Sequence, residues 1–230
     1  MNKIALIGPN GRMGRFVEGL LATREDLEIV ARIGRSDDLA SSLNGAQVGL
    51  DLTVAGLGAD HARTLLDHGV RPLIGTSGVD PAEDAPLDAL ARSKGLGGLI
   101  VPNFCLGVWL QQRLALDATR FLKSVEIVEE HYSGKVDAPS GTAKDTAAQL
   151  EQALGRQPGS LGVHAVRVDG LYSNQQIIFG GTGEVLRLTH QTFGLEAFGS
   201  GILASLGYVA QAQGVARGVG HAFEWSAARG

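Results

Sequence analysis

A short apolar run, Lys3 to Ile7, passes directly into Gly8-Pro9-Asn10-Gly11-Arg12-Met13-Gly14, and Arg12 to Ala22 then sets Phe16, Leu20 and Leu21 at helical spacing. Strand, glycine turn and helix in immediate succession leave few folds open. Glycines at G-x-x-G-x-x-G spacing let the backbone turn sharply and approach a diphosphate, whose charge rests on the N–H groups and positive dipole end of the helix. The alternative is a tight strand-to-helix turn that uses glycine for its geometry alone. Gly8, Asn10, Gly11, Arg12, Met13 and Gly14 are therefore the candidate dinucleotide contacts.

The alternation continues through the first hundred residues. Apolar runs at Lys3 to Ile7, Glu28 to Ile33, Val48 to Thr53, Arg71 to Gly75 and Gly98 to Val101 are separated by helix-like segments at Arg12 to Ala22, Ala59 to His68 and Ala82 to Ser93. This is the pattern of parallel strands joined by crossover helices, a Rossmann-like doubly wound α/β fold. After Pro102-Asn103 the texture changes. Leu106 to Phe121 reads as one long helix, and the strands Ser124 to His131, Gly162 to Asp169, Asn174 to Phe179 and Glu184 to Thr192 enclose a single helix, Ala143 to Leu154. Alternation in Val185-Leu186-Arg187-Leu188-Thr189 marks a sheet with one face on a core and the other on water or a partner. The expected layout is a dinucleotide-binding domain of residues 1–104 and about 198–230. Residues from about 105 to 197 form an α+β substrate-binding and oligomerisation domain with a mixed or antiparallel sheet. Gly199 to Gly214 reads as a helix of the returning chain, and the Ala/Gly-rich tail beyond it carries no nameable chemistry.

Composition removes several function classes. Twenty Lys and Arg against 24 Asp and Glu leave a net charge of −4, so no positive field exists to hold a polyanion, and no nucleic-acid partner is expected. Hydrophobic residues at 44% and charged residues at 19% describe a chain that buries a core. Cys105 is alone and makes no internal disulfide, and six His with one Cys show no metal-ligand spacing, so no metal is expected. No apolar run reaches the roughly 20 residues of a membrane helix. Met1 to Gly8 also lacks the apolar stretch of a signal peptide, so a cytoplasmic protein without a membrane partner is expected.

At the end of the second strand, where an acid would take the ribose diol, the chain reads Ala31-Arg32-Ile33-Gly34-Arg35-Ser36. With that acid absent, a 2′-phosphate meets no repulsion and finds the donor fork of Arg35. NADPH is therefore the expected cofactor, ahead of NADH. Arg35 as a solvated loop charge, or stacked on adenine, is the alternative.

The densest chemistry lies in Glu130-His131-Tyr132-Ser133-Gly134-Lys135-Val136-Asp137-Ala138-Pro139-Ser140-Gly141-Thr142-Ala143. A strand ends in His131, a short loop carries Lys135, and Pro-Ser-Gly-Thr opens a helix. Ser140 or Thr142 can cap that helix, Gly141 permits close approach, and the first N–H groups make an anion site suited to a small carboxylate. Lys135 can neutralise a second carboxylate or donate a proton, and His131 and Tyr132 add titratable groups at the strand end. Each has a plainer use alone: Lys135 as solvated charge, His131 as strand-end hydrogen bonder, Ser140 as cap. Their occurrence together within a dozen residues favours a site.

Taken together, several stretches resemble the 4-hydroxy-tetrahydrodipicolinate (dihydrodipicolinate) reductase family. They are Gly-Arg-Met-Gly within Gly8 to Gly14, Asp51-Leu52-Thr53, Gly75-Thr76-Ser77-Gly78, Pro102-Asn103-Phe104-Cys105-Leu106-Gly107, and Glu130-His131 through Lys135-Val136-Asp137-Ala138-Pro139-Ser140-Gly141-Thr142-Ala143. The likeness runs in order from Met1 to about Gly207. It implies an NAD(P)H-dependent reductase of lysine and diaminopimelate biosynthesis, in which hydride passes to C4 of a cyclic imine dicarboxylate to give tetrahydrodipicolinate. It implies His131 as proton donor, Lys135 assisting protonation and binding substrate, and Gly141 and Thr142 holding a substrate carboxylate; Ser140 beside them and Tyr132, in the place of a family histidine, are the further candidate substrate contacts. It sets Thr53, Gly75, Thr76, Ser77, Pro102, Asn103 and Phe104 at the cofactor, and it implies a homotetramer formed through the second domain's sheet. The chain departs from the family at Tyr132, where a second histidine is usual, and at Cys105, where serine is usual. It departs again at Ser173-Asn174-Gln175 and Gly194-Leu195, in place of Gly-Glu-His and Ser-Arg. Losing an arginine at Leu195 forfeits a charge-assisted contact of about 1.5–3 kcal/mol, roughly a tenfold to hundredfold effect on substrate binding. Two other readings stay open at this point: a paralogous NAD(P)-dependent oxidoreductase acting on another small anionic substrate, and a non-catalytic nucleotide-binding module. The second has no use for a proton donor beside an anion cradle.

Overall fold

A computed structural model describes residues 2–229. The chain forms two units, one of the residues up to Cys105 and from Phe198 on, the other of Leu106–Ala197. The first unit opens with β1 (Asn2–Ile7), α1 (Arg12–Ala22), β2 (Leu27–Ile33), β3 (Val48–Asp51), α2 (Gly58–Asp67), β4 (Arg71–Ile74), α3 (Asp84–Ser93) and β5 (Gly97–Ile100). The second holds α4 (Leu106–Ala118), β6 (Ser124–His131), α5 (Gly141–Leu154), β7 (Val163–Arg167), β8 (Ser173–Gly181) and β9 (Glu184–Thr192). The chain then returns to the first unit as α6 (Gly199–Val209), β10 (Gly214–Arg217) and α7 (Gly220–Ala227).

Six strands of the first unit pair in parallel in the order β10-β5-β4-β3-β1-β2. A sheet covered on both faces needs apolar residues on both sides of each strand, and β3 and β5 are accordingly buried at every position. Ile74 and Ile100 of the sheet meet Leu65, Leu66 and Leu87 of the helices in one core. The strand order reverses between β1 and β3, and at such a switch point the strand ends leave a crevice for a ligand.

The end of the chain differs from the sequence expectation of one helix from Gly199 to Gly214 with no element assigned beyond it. The helix stops at Val209, and Gly214–Arg217 is the sixth strand, followed by α7. Four residues carry no period. Their partners make them a strand: Gly214 to Arg217 align with Gly97 to Ile100, and Val215 N–H donates to Asp88 Oδ1 at 2.8 Å. Arg217 grips Asp84 at 2.8 and 2.6 Å. The long helix of the second unit likewise ends at Ala118 rather than Phe121.

The second unit carries a mixed sheet in the order β7-β6-β8-β9, with β6 and β7 parallel and the remaining pairs antiparallel. Alternate residues of β6 (Val125, Ile127, Glu129 and His131) are buried. The two apolar ones join Ile177 and Phe179 beneath Ala143, Ala147 and Leu150 of α5. Strand β9 leaves Val185 and Leu186 exposed. Both architectures are those the sequence implied. Among the described residues no helix is long and apolar enough to cross a membrane, and no group of three His, Cys, Asp or Glu is placed to hold a metal ion.

Candidate active site

Strand β1 leads into Gly8, whose φ of +86° is left-handed and which lies so close to β3 that a Cβ would meet the Leu52 carbonyl oxygen at 3.0 Å. Gly14, in the first turn of α1, lies against the preceding loop, where a Cβ would collide with the carbonyls of Gly8 and Pro9. The first turn of α1 has no side-chain cap, so its N–H groups are available to an anion. This backbone cradle fits the diphosphate of a dinucleotide.

Over the loop opens a cavity of about 680 Å³ lined by Gly8, Asn10 and Gly11 after β1, Gly34 and Arg35 after β2, and Thr53 and His61 beyond β3. A neighbouring cavity of about 660 Å³ shares Asn10, Gly34 and Arg35 and adds Arg32 and Ser36. Asp37 lines both, and its Oδ2 accepts the Gly34 N–H at 2.7 Å. An acid absent from the strand end itself thus stands on the cavity wall four residues beyond Ile33, placed there by a loop turn that spacing along the chain does not reveal. Arg12, Met13, Gly75, Thr76, Ser77, Pro102, Asn103 and Phe104 lie outside the wall of the larger cavity. Thr76 approaches it through Thr53, the two hydroxyls standing 3.4 Å apart. Gly75 and Phe104 pack on each other, since a Cβ on Gly75 would meet the ring at 2.6 Å. Asn103 Oδ1 accepts the Cys105 N–H at 2.9 Å.

Thr53 is oriented by the buried Asp51, which accepts its N–H at 2.9 Å and its hydroxyl at 2.6 Å. The other oxygen of Asp51 meets His61 Nδ1 of α2 at 2.9 Å. Burial pushes the Asp51 carboxyl up, but the bonds from His61 and Thr53 outweigh it and hold the group below the ordinary carboxylate range. The same carboxylate raises His61 above the ordinary imidazole value of 6.5, against burial. A raised folded-state pKa contributes stability that is complete below the unfolded value and is lost as pH rises through the folded one. The stability difference between the wild type and His61→Gln is therefore expected to be largest below pH 6.5 and to shrink above it. Denaturation curves at a series of pH values check this, and a difference that grows with pH contradicts the pairing.

In the second unit, sheet register sets three polar residues side by side: His131 at the end of β6 lies opposite Arg167 of β7 and Ser173 of β8. His131 Nδ1 meets Glu129 Oε2 at 2.5 Å and its Nε2 stands 3.0 Å from the Ser173 hydroxyl. Glu129 is fully buried. Arg167 donates to both its oxygens at 3.0 and 2.7 Å, and the Ser140 N–H donates to Oε1 at 3.0 Å. Burial pushes Glu129 up, yet the bonds from Arg167, His131 and Ser140 prevail and hold it below the ordinary carboxylate range. Burial and the neighbouring charges of Lys135 and Arg167 lower His131, against the pull of Glu129.

The loop after β6 is tied down by the same arginine, which donates to the Lys135 carbonyl at 3.3 Å and to the Asp137 carbonyl at 2.6 Å. The Lys135 ammonium lies 2.6 Å from Asp137, whose carboxyl is held low by Lys135 and further by the Gly141 N–H. Ser140 is buried and caps α5 by accepting the Ala143 N–H at 3.3 Å. Its contribution to an anion site is therefore the helix end that it shapes. Thr142 follows in the first turn of α5, and Tyr132 is exposed at the start of the loop. Leu195 begins a short 3-10 turn, Leu195–Phe198.

Sequence reasoning missed Glu129, Arg167, Ser173, Asp37, Asp137 and the Asp51–His61 pair. One signal was readable: residues two apart on a strand share a face, so Glu-x-His at the end of a predicted strand sets carboxylate and imidazole together. The others depend on register or on loop shape.

Models of the dihydrodipicolinate reductase N-terminus and C-terminus match residues 2–104 and 107–221. The 4-hydroxy-tetrahydrodipicolinate reductase of Legionella pneumophila (strain Lens) is 34% identical, over 95% of this chain and 98% of its own. That of Coxiella burnetii (strain RSA 493 / Nine Mile phase I) is 37% identical over 81% and 84%. Among solved structures, the dipicolinate-bound dihydrodipicolinate reductase from Paenisporosarcina sp. TG-14 superposes with a TM-score of 0.82 at 29% identity, covering 95% of this chain and 98% of that one.

Proposed function

This chain belongs to the dihydrodipicolinate reductase family, and from that premise we propose that it reduces 4-hydroxy-tetrahydrodipicolinate to tetrahydrodipicolinate with a nicotinamide dinucleotide, in diaminopimelate and lysine biosynthesis. The observation that carries the reading to this chain's own residues is the carboxylate cradle of the second unit. The Lys135 ammonium already holds one carboxylate, that of Asp137 at 2.6 Å in the loop that leads into α5, and this carboxylate stands in for one of the substrate.

When bound, the reduced nicotinamide would supply a hydride to C4 of the cyclic unsaturated imine left once the 4-hydroxyl has departed as water, and the ring carbon next to C4 then takes up a proton. The remaining tasks fall to the chain. The uncapped first turn of α1, with Gly8, Asn10, Gly11, Arg12, Met13 and Gly14, takes the diphosphate. Thr53 and Thr76, with Gly75, Ser77, Pro102, Asn103 and Phe104, serve the nicotinamide end. Lys135, Gly141 and Thr142 bind a substrate carboxylate on a helix end capped by Ser140, and the Tyr132 hydroxyl contributes a further hydrogen bond. His131 gives the proton from Nε2 while Nδ1–H stays on Glu129. Because burial and the charges of Lys135 and Arg167 lower its pKa, its protonated form gives up the proton more readily than an ordinary imidazolium does. Arg167 is committed to Glu129, so it does not replace the arginine lost at Leu195. The homotetramer, formed through the sheet whose β9 exposes Val185 and Leu186, and the cytoplasmic location belong to this same reading.

NADPH is the preferred cofactor and NADH is accepted. Arg35 and Ser36 offer donors to a 2′-phosphate, while Asp37, one oxygen of which is engaged by the Gly34 N–H, offers an acceptor to a ribose hydroxyl. An assay that generates the hydroxy imine in situ and follows nucleotide absorbance tests substrate and cofactor together. Arg35→Ala is expected to lower kcat/KM with NADPH by roughly tenfold to a hundredfold, the worth of one charge-assisted contact, and to leave NADH within about threefold. A wild-type preference for NADH of about tenfold or more ends the cofactor argument. No reduction of the hydroxy imine with either nucleotide ends the functional one.

A further inference from the structure

We propose that Glu129 is a positioning residue for the reduction: it fixes the ring of His131 in the Nδ1–H tautomer, so that Nε2 alone carries the exchangeable proton, and through Arg167 it holds the Lys135 loop to the same point. The proposal rests on the reading of His131 as proton donor. Glu129 itself is fully buried and touches none of the reacting atoms in that reading.

The tautomer follows from the donors around the carboxylate. Oε1 faces two obligate donors, the Ser140 N–H at 3.0 Å and Arg167 Nη2 at 2.7 Å. Oε2 faces Arg167 Nη1 at 3.0 Å and His131 Nδ1 at 2.5 Å. A carboxylate only accepts, so Nδ1 must carry the hydrogen, and in the neutral ring Nε2 is left as the acceptor, 3.0 Å from the Ser173 hydroxyl. The charged groups acting on the ring are Glu129 of its own strand, Arg167 of β7 and Lys135 of the loop, the last paired with Asp137. Of these Glu129 alone favours the imidazolium; Lys135 and Arg167 oppose it along with burial. One buried carboxylate therefore sets both the orientation of the ring and the ease with which it is recharged. It also anchors the loop, because the guanidinium it holds donates to the carbonyls of Lys135 and Asp137.

Glu129→Gln separates these roles from mere packing. The amide matches the carboxylate in size, but the Ser140 N–H and Arg167 Nη2 claim its oxygen, which turns the NH₂ toward His131 Nδ1. Nδ1 must then accept, and the ring flips to the Nε2–H tautomer, an effect known to cripple other imidazole catalysts held by a carboxylate. The test is long-range ¹H–¹⁵N correlation of the full-length protein labelled at histidine, with the His131 signals identified by their loss in His131→Gln. The wild type is expected to show Nδ1–H at neutral pH and Glu129→Gln to show Nε2–H. In parallel, kcat of Glu129→Gln is expected to fall roughly tenfold to a hundredfold with KM changed by less than about threefold. The pH at which the rate falls off with rising pH is expected to shift downward. An Nε2–H tautomer in the wild type overturns the proposal without any variant having to fold, and so does an unchanged tautomer in a folded Glu129→Gln. If the tautomer flips but His131→Gln retains full activity, the hold of Glu129 on the ring stands, while the donor role assigned to His131, and with it the part of Glu129 in the reduction, falls.

Discussion

Replacing Lys135 by alanine is expected to lower kcat by about 10²–10³, the usual span for loss of an acid or of a charge that stabilises the transition state. The backbone of its loop does not depend on the side chain: Arg167 holds the carbonyls of Lys135 and Asp137, and the Lys135 N–H closes a turn on Tyr132 at 3.1 Å. Alanine should therefore leave the fold and the dinucleotide cradle intact and remove only the ammonium that lies 2.6 Å from Asp137. Two consequences separate a chemical from a structural role. The melting temperature should change little, because an ion pair with a half-exposed aspartate contributes little to stability in water. Lys135→Arg should recover only part of the rate, since a planar guanidinium does not present a charge as an ammonium does. Steady-state kinetics with substrate generated in situ decide the matter, and unchanged turnover in Lys135→Ala would remove the residue from the chemistry.

The second large effect is expected at Gly14. A Cβ there would collide with the Gly8 carbonyl and lie 2.7 Å from the Pro9 oxygen, both backbone atoms that no side-chain rotation can move aside. The loop must open for alanine to be accommodated, at a cost of about 3 kcal/mol or more. It then no longer presents its N–H groups to a diphosphate. Two charge-assisted hydrogen bonds at roughly 1.5–3 kcal/mol each imply a fall in dinucleotide affinity beyond about a hundredfold. Gly19, in the same helix, is the control. It has no atom within 4 Å of a built Cβ, so Gly19→Ala should bind as the wild type does and gain a few tenths to about 1 kcal/mol of stability. Calorimetric titration with the dinucleotide checks both variants. A Gly14→Ala protein that binds normally would show that the diphosphate does not use this loop.

The two cradles were legible in the sequence because each is built from consecutive residues. Gly8 to Gly14 joins a strand to a helix, and Ser140-Gly141-Thr142 opens another; the capping and turn preferences act within one helical turn. The strip of β10 was not legible. Gly214–Arg217 is too short for periodicity and becomes a strand only beside β5, with Asp84 and Asp88 of α3 holding it there. Asp37 was passed over for a related reason, since a carboxylate four residues beyond a strand end can point anywhere until the loop has a shape.

By itself the sequence determined the order of strands and helices as far as α6, the division of texture after residue 102, and the location of both candidate anion-binding helix starts, because those features follow from side-chain periodicity and from hydrogen bonds between near neighbours. Tertiary structure alone decided what makes His131 usable. Arg167 stands 38 residues from Glu129, and Ser173 stands 42 from His131. Only the register of β6 against β7 and β8 brings them to one imidazole. The pairing of Asp51 with His61 likewise waits on how α2 settles against the end of β3. A buried charge must find its partner in three dimensions or lose its ionisation, and a linear string of residues does not contain that choice.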